Sequence, residues 1–314
     1  MTILKKLYLF ILIFLISCTQ SGKTVHRENS DTDLIEDTAS SVSNKGLREG
    51  SEISTRYIVP DGFHREETKE GSFGAFLQNL PLKPIGYKTH LFNGQEKDPQ
   101  ISTSVIDFDI DSTNIQKAAA SITRLRAEYL YSKGQFDKIN FKLTNGFSFN
   151  FTKWAQGFRV KENESHKDWY KVYEKEDYSY QNFRSFLKKV FESSDDSILF
   201  NLLTPITKSQ LSVGSVILQR GEKGHAVIIV DMIIPDNPTD SFKGRGVLLA
   251  QGQSPAQEIE IIEGYYDELG LFSKTQNPKL TNRFWSPTRH KAADNKFFTS
   301  GFSFEKPEYY KFNF

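Results

Sequence analysis

The 314-residue chain contains a single cysteine, Cys18, so no intrachain disulfide can form. Its six histidines include no HExxH and no HxH spacing, which excludes the common zinc signatures. The alternating Asp107, Asp109 and Asp111 open like a calcium loop. Ser112 and Ala118 stand where such a loop requires glycine and glutamate, so no metal is expected. No glycine loop followed by lysine and a helix is present, which removes the usual nucleotide-phosphate site, and no cofactor is expected. Basic and acidic residues number 40 and 39, for a net charge of +1, too balanced for a general nucleic-acid surface. There is no internal repeat and no second apolar run long enough to cross a bilayer.

What is present begins with an export signal. Lys5 and Lys6 precede an almost wholly apolar stretch, Leu7 to Ile16, too short for a mature membrane span. It ends in Leu15-Ile16-Ser17-Cys18, which resembles the lipobox of bacterial lipoproteins, in which the cysteine becomes the lipidated N-terminus. The expectation is a signal peptide over 1–18, lipidation at Cys18 and membrane contact through that lipid. Thr19 is not the aspartate of an inner-membrane retention signal, which points to the outer membrane. Residues 19–55 are polar, with scattered single hydrophobics that cannot offset the entropy of ordering them, and read as a flexible tether.

Residues 56–314 are expected to form one α+β domain: a largely antiparallel sheet packed against one long helix. Ile115, Ala118, Ala119, Ile122, Leu125 and Tyr129 make an apolar stripe over 114–131, with Ser112 or Thr113 as cap and Gly134 as stop. A shorter helix over 72–80 has Ser72 as cap and Pro81 as stop, and another is expected over 180–191. Alternation around Asn145-Gly146 predicts a hairpin over 139–152, and strands are expected over 57–59, 87–92 and 101–110. The charged run 161–177 reads as a surface excursion. Three further strands are expected at 215–219, 226–234 and 247–262, the last broken at Ser254-Pro255, and the aromatic tail from Phe297 as a final edge segment.

Five ordered blocks carry a resemblance: SFGAFLQNLPLKP from Ser72, RLRAEYL from Arg124, Trp154 with Gly157, GHAVIIVD from Gly224, and LLAQ with PAQ between Leu248 and Gln257. Together they resemble domain-of-unknown-function family 4846, uncharacterised envelope proteins of the Bacteroidetes. That resemblance implies an address in the cell envelope and no reaction. A second resemblance is to papain-like cell-wall hydrolases: a long helix, then a strand opening Gly-His, then a strand ending in a polar residue. There a cysteine at the helix N-terminus is activated by the dipole, a strand histidine is the base, and a polar residue on the next strand orients it. The resemblance implies His225 as base with Gln251, Gln253 or Asp231 as orienter, and Ala118 stands at the place of the cysteine.

The chemistry-bearing candidates are therefore His225 and Gln251 for catalysis. Arg126, Arg124, Gln253, Gln257, Asp231 and Trp154 are the candidates for holding a ligand. A histidine opening a buried strand can be tuned to work as acid or base, or can be a structural group bonded beneath a loop. Arg124 and Glu128 are four residues apart and can pair on a helix surface, leaving Arg126 the better clamp for a carboxylate or phosphate. The amides can hydrogen-bond a peptide or sugar, or a bulged backbone of their own. The expected function is a lipid-anchored envelope module that binds a peptide or glycan without catalysis; the alternative is a papain-like hydrolase using His225.

Overall fold

The computed structural model describes residues 47–163, 166–221, 224–237, 245–262, 285–287 and 296–314. The signal peptide, Cys18 and most of the tether lie outside the described residues. Leu47 to Thr55, expected as tether, already take part in the fold. Helix α1 (Ile53–Arg56) buries Ile53 completely, and Leu47 bridges to Tyr57. No described helix is long and apolar enough to cross a membrane.

The frame is a nine-stranded sheet whose pairs are all antiparallel. Its main path runs β2 (Ser102–Val105), β11 (Glu260–Ile262), β10 (Gly246–Gln251), β9 (His225–Pro235), β8 (Val216–Gln219), β15 (Glu308–Phe312), β7 (Leu203–Pro205). β1 (Phe63–Arg65) pairs with β9, and β12 (Ser286–Pro287) with β10. The mixed α+β class and the antiparallel sheet match expectation. The tail does not: β15 is an interior strand between β8 and β7, so the tail completes the sheet instead of flanking it. Its alternation of buried Tyr310 and Phe312 with exposed Lys311 is short and is masked by surrounding aromatics.

β9 is apolar apart from His225 and Asp231 because both faces of the sheet are covered. Ala226, Ile228 and Val230 join Leu218, Ala250 and Ile261 on the face that packs Ile122 and Leu125 of helix α3 (Ala118–Ser132). Val227, Ile229 and Met232 face a second core with Phe297 and Phe304, from the hairpin of β13 (Phe297–Thr299) and β14 (Phe302–Phe304). A strand buried on both sides loses the alternation that marks a half-solvated one. The β9–β10 register slips between Leu248 and Leu249, a bulge that sets both Val230 and Asp231 toward the helices.

Two long helices, not one, cover the sheet and the hairpin beside it. α3 begins at Ala118, four residues later than the stripe suggested. Asp111 accepts bonds from Thr113, so that segment forms a local turn and cannot cap the helix. α5 (Tyr180–Glu192) carries Phe183, Phe186, Leu187 and Val190 inward, and Ser179 caps it. α2 (Phe73–Gln78) is capped by Ser72 as expected. The 139–152 hairpin forms as β3 (Asn140–Lys142) and β4 (Ser148–Asn150), but its end coils into α4 (Phe151–Ala155), where Asn150 caps the turn. The charged excursion is a hairpin, β5 (Phe158–Asn163) with β6 (His166–Lys171). Residues 57–59 and 87–92 make only isolated bridges, and 101–110 is a strand over just four residues.

Gly157 joins α4 to β5 at φ +90°, and a Cβ there would sit 2.0 Å from the Tyr173 carbonyl oxygen. Backbone cannot yield as a flexible side chain can. Gly157→Ala is expected to lower unfolding stability by about 2 kcal/mol or more in urea denaturation, through strain at a left-handed position and a backbone clash.

Candidate functional site

The site starts at the end of β9. His225 is its first residue, and β10 brings Gln251 alongside. His225 Nε2 lies 2.7 Å from Gln251 Oε1, and Gln251 Nε2 donates to Glu260 Oε1 on β11 at 2.9 Å. Lys97 donates to the same Glu260 oxygen, and Thr89 Oγ1 lies 3.0 Å from the other. Gln251 and Glu260 are fully buried and Lys97 nearly so. An ionised carboxylate only accepts, so Glu260 takes the Gln251 amide hydrogens and turns the amide oxygen to His225. The imidazole must then donate from Nε2, which leaves the lone pair on Nδ1. Nδ1 has no hydrogen-bond partner among the described residues.

His225 is 9% exposed, and Phe302 and Phe304 stack on it at 4.8 and 5.9 Å. Burial holds its pKa below the ordinary imidazole value, opposed by the Gln251 bond and assisted by the charge of Lys97. The ring is therefore neutral at pH 7. The strand pleat sends His225 toward the phenylalanine face while Ala226 faces α3. A cleft of about 130 Å³ lies at this end of the sheet beside α3 and is lined by Ala118, Ala119, Asp196, Arg220, His225 and Ala226. A wider cavity of about 360 Å³ adjoins it across Asp196, on the other side of the α3 N-terminus, with Asn114, Lys117 and Glu192. Gly252 sets the approach of helix to strand: a Cβ there would lie 2.1 Å from Ser121 Oγ in the first turn of α3.

The other candidates lie elsewhere or serve the fold. Arg124 is fully buried, not on a helix surface. It bonds Glu128 at 3.1 Å, Gln116 at 2.8 Å and the Asp109 carbonyl, and so ties the 108–116 segment to α3. Arg126 lies about 12 Å further along α3 than Ala118. It donates to the Asn313 carbonyl at 3.0 Å between Phe312 and Phe314, and burial lowers its pKa to about 10. Asp231, six residues beyond His225, accepts from Arg65 Nε at 2.7 Å and Gln78 Nε2 at 2.9 Å; burial raises its pKa despite the Arg65 charge. Trp154 is buried on α4, bonded to Asn182 and overlain by Arg159. Gln257 is buried with its amide on the Glu258 carbonyl, and Gln253 sits half-buried beside Gly301. Of the residues singled out in sequence, the structure brings His225 and Gln251 together, with Gln253 near Gln251 beside Gly301, while Ala118 shares a cleft with His225 from the other face of the sheet.

Glu260, Lys97 and Asp196 were not singled out in sequence. Glu260 left a trace, an acidic residue within the otherwise apolar Ile259-Ile262 stretch. Lys97 and Asp196 left none, since each stands in a polar segment like any solvated charge. Among the described residues no group of His, Cys, Asp and Glu could hold a metal.

Fold and site together define an α+β protein with a strand-borne histidine, held by an amide and a buried carboxylate, beside the N-terminus of a long helix. The chain belongs to the family described as domain of unknown function 4846, whose model matches residues 53–290. No curated protein and no solved structure matches it.

Two measurements check the site. In ¹⁵N NMR, His225 should be a pure Nε2–H tautomer at pH 7.5, and Gln251→Leu should give a tautomer mixture; an unchanged spectrum would remove Gln251 as the orienter. Stability supplies the second. An unfolded histidine takes up a proton below about pH 6.5, while the folded ring resists it. The stability from this group is present above that pH and is lost as pH falls through the window toward the lowered folded value. Between pH 7.5 and 5.5 the native chain should lose more stability than His225→Gln; equal losses would contradict the burial effect.

Proposed function

We propose that this protein is a lipid-anchored module of the cell envelope that binds a peptide or glycan without catalysis. The observation that carries this reading is Ala118. It opens a 15-residue helix and lines a cleft that also reaches His225, the first residue of β9. Thiol catalysis requires a cysteine at a helix N-terminus facing a histidine base; here the sulfur is missing and the His225 side chain points to the sheet face opposite α3, which supports binding over catalysis. Among the described residues lining the cleft there is no cysteine, serine or threonine to replace it. The anchor rests on Cys18 directly after the apolar run of the leader, and Thr19 favours the outer membrane.

In a Cys18→Ser background, Ala118→Cys should react with iodoacetamide at pH 6.5 at the same rate with and without His225→Ala, because the imidazole lies on the other face of the sheet. A rate about tenfold faster with His225 present would sink the non-catalytic reading in favour of a papain-like site. Anchoring has its own check: the intact chain should incorporate labelled fatty acid in cells, and Cys18→Ser should not.

A further inference from the structure

Arg126 is 6% exposed, and its side chain carries a charge into an apolar setting. Nη2 donates to the Asn313 carbonyl at 3.0 Å, while Nε and Nη1 are buried without an acceptor among the described residues. Burial alone lowers its pKa to about 10, and no neighbouring carboxylate among the described residues opposes that fall. The guanidinium therefore stays charged at pH 7. The other two buried arginines are better served. Arg56 spends three nitrogens on the Gly50 and Lys83 carbonyls, and Arg124 pairs with Glu128. A buried guanidinium with two nitrogens unspent and no countercharge is matched to an anion.

Rings make the rest of this setting. Phe312 and Phe314 lie over the guanidinium, with centroids 5.9 and 5.4 Å from its central carbon. They attract the charge but offer no lone pair to its N–H groups. The Phe314 ring rests in a cradle of Phe73, Tyr129 and Phe312, at centroid distances of 5.2, 5.5 and 6.1 Å. The cradle is fixed from outside. Ser72 caps the helix that carries Phe73, and Tyr129 donates to the Gly71 carbonyl. Asn313 is fixed as well, since its backbone amide donates to the Leu202 carbonyl and its side chain bonds Thr204. Phe314 is 55% exposed and is held by ring contacts, so a rotation beyond Asn313 lifts it and leaves β15 in place.

We propose that Arg126 and this cradle bind an apolar monocarboxylate, a flat ring-sized body bearing one carboxylate, in place of the Phe314 ring. The cradle already accepts a flat apolar body, and a planar guanidinium presents its N–H groups to a planar carboxylate. One positive charge in apolar surroundings neutralises one negative charge, so a monoanion fits where a phosphate dianion leaves charge unpaired. The site lies about two turns of α3 beyond Ala118, and it does not depend on how the His225 cleft is read.

The test is calorimetric titration of the full chain carrying Cys18→Ser with 3-phenylpropionate, its amide and phenyl phosphate at pH 7.0. Phe314→Ala clears the cradle and should bind the acid about tenfold more tightly than the amide. The chain that keeps Phe314 should bind the acid more weakly than Phe314→Ala, because its own ring competes. Adding Arg126→Met to Phe314→Ala should remove the preference for the acid. N-acetyl-alanyl-phenylalanine separates the two sources of such a group: tighter binding than 3-phenylpropionate names a peptide end, weaker binding names a free acid, and either supports the site. Equal binding of acid and amide by Phe314→Ala, tighter binding of phenyl phosphate, or no binding of any of them would overturn the proposal. Should Arg126→Met fail to fold, the comparison of acid with amide in Phe314→Ala still decides.

Discussion

A carboxylate buried in a protein must be paired, and in this chain Glu260 sets that demand. It has no solvent exposure, and it sits on a strand whose neighbours are Ile259, Ile261 and Ile262. Removing one partner from such a buried group costs several kcal/mol, on the order of 3–5. Lys97 supplies the countercharge, Thr89 a hydroxyl and Gln251 an amide. Because Glu260 accepts only, the polarity of everything attached to it is fixed: the amide cannot flip, and the imidazole beyond it has a single tautomer. A structural necessity on β11 therefore decides the chemistry available two strands away.

The sheet makes that transmission possible. β9, β10 and β11 are adjacent and antiparallel, and Gln251 pairs in register with Glu260. Three polar side chains from distant parts of the chain thus form one row on one face. The row ends at His225, where β9 opens, on the face opposite the one that the first turn of α3 packs against. Gly252 permits that packing, since any side chain there would meet Ser121. The aromatic hairpin β13–β14 closes the opposite side over His225 and keeps water from competing for the Gln251 bond. Asp231 shows the same economy further along the strand: a bulge turns it to the helix side, where Arg65 and Gln78 satisfy it.

Local signals were legible wherever a short stretch decides its own structure. Ser72 caps a helix, and Asn145-Gly146 turns a hairpin, because hydrogen bonds within a few residues fix both. The long helix was legible from its stripe but not its start, since the Asp111–Thr113 turn competes for the bonds a cap would make. His225 and Gln251 stood out as polar residues at the ends of apolar strands. The resemblance to papain-like hydrolases offered Gln251, Gln253 or Asp231 as the partner of His225, and adjacent antiparallel strands set Gln251 beside it.

The sequence by itself determined the composition limits, the mixed class, the apolar strands and the absence of cysteine from the long helix. Those follow from residue identity and local periodicity, which need no knowledge of partners. The tertiary structure decided that Glu260 and Lys97 belong to the histidine's chain of bonds, that Arg124 is interior, and that the tail completes the sheet as β15. It also decided that Ala118 and His225 border one cleft. The physical reason is common to all of these: burial and pairing depend on where the whole chain packs, over separations from 4 residues in Arg124–Glu128 to 163 in Lys97–Glu260, and only the folded chain fixes them.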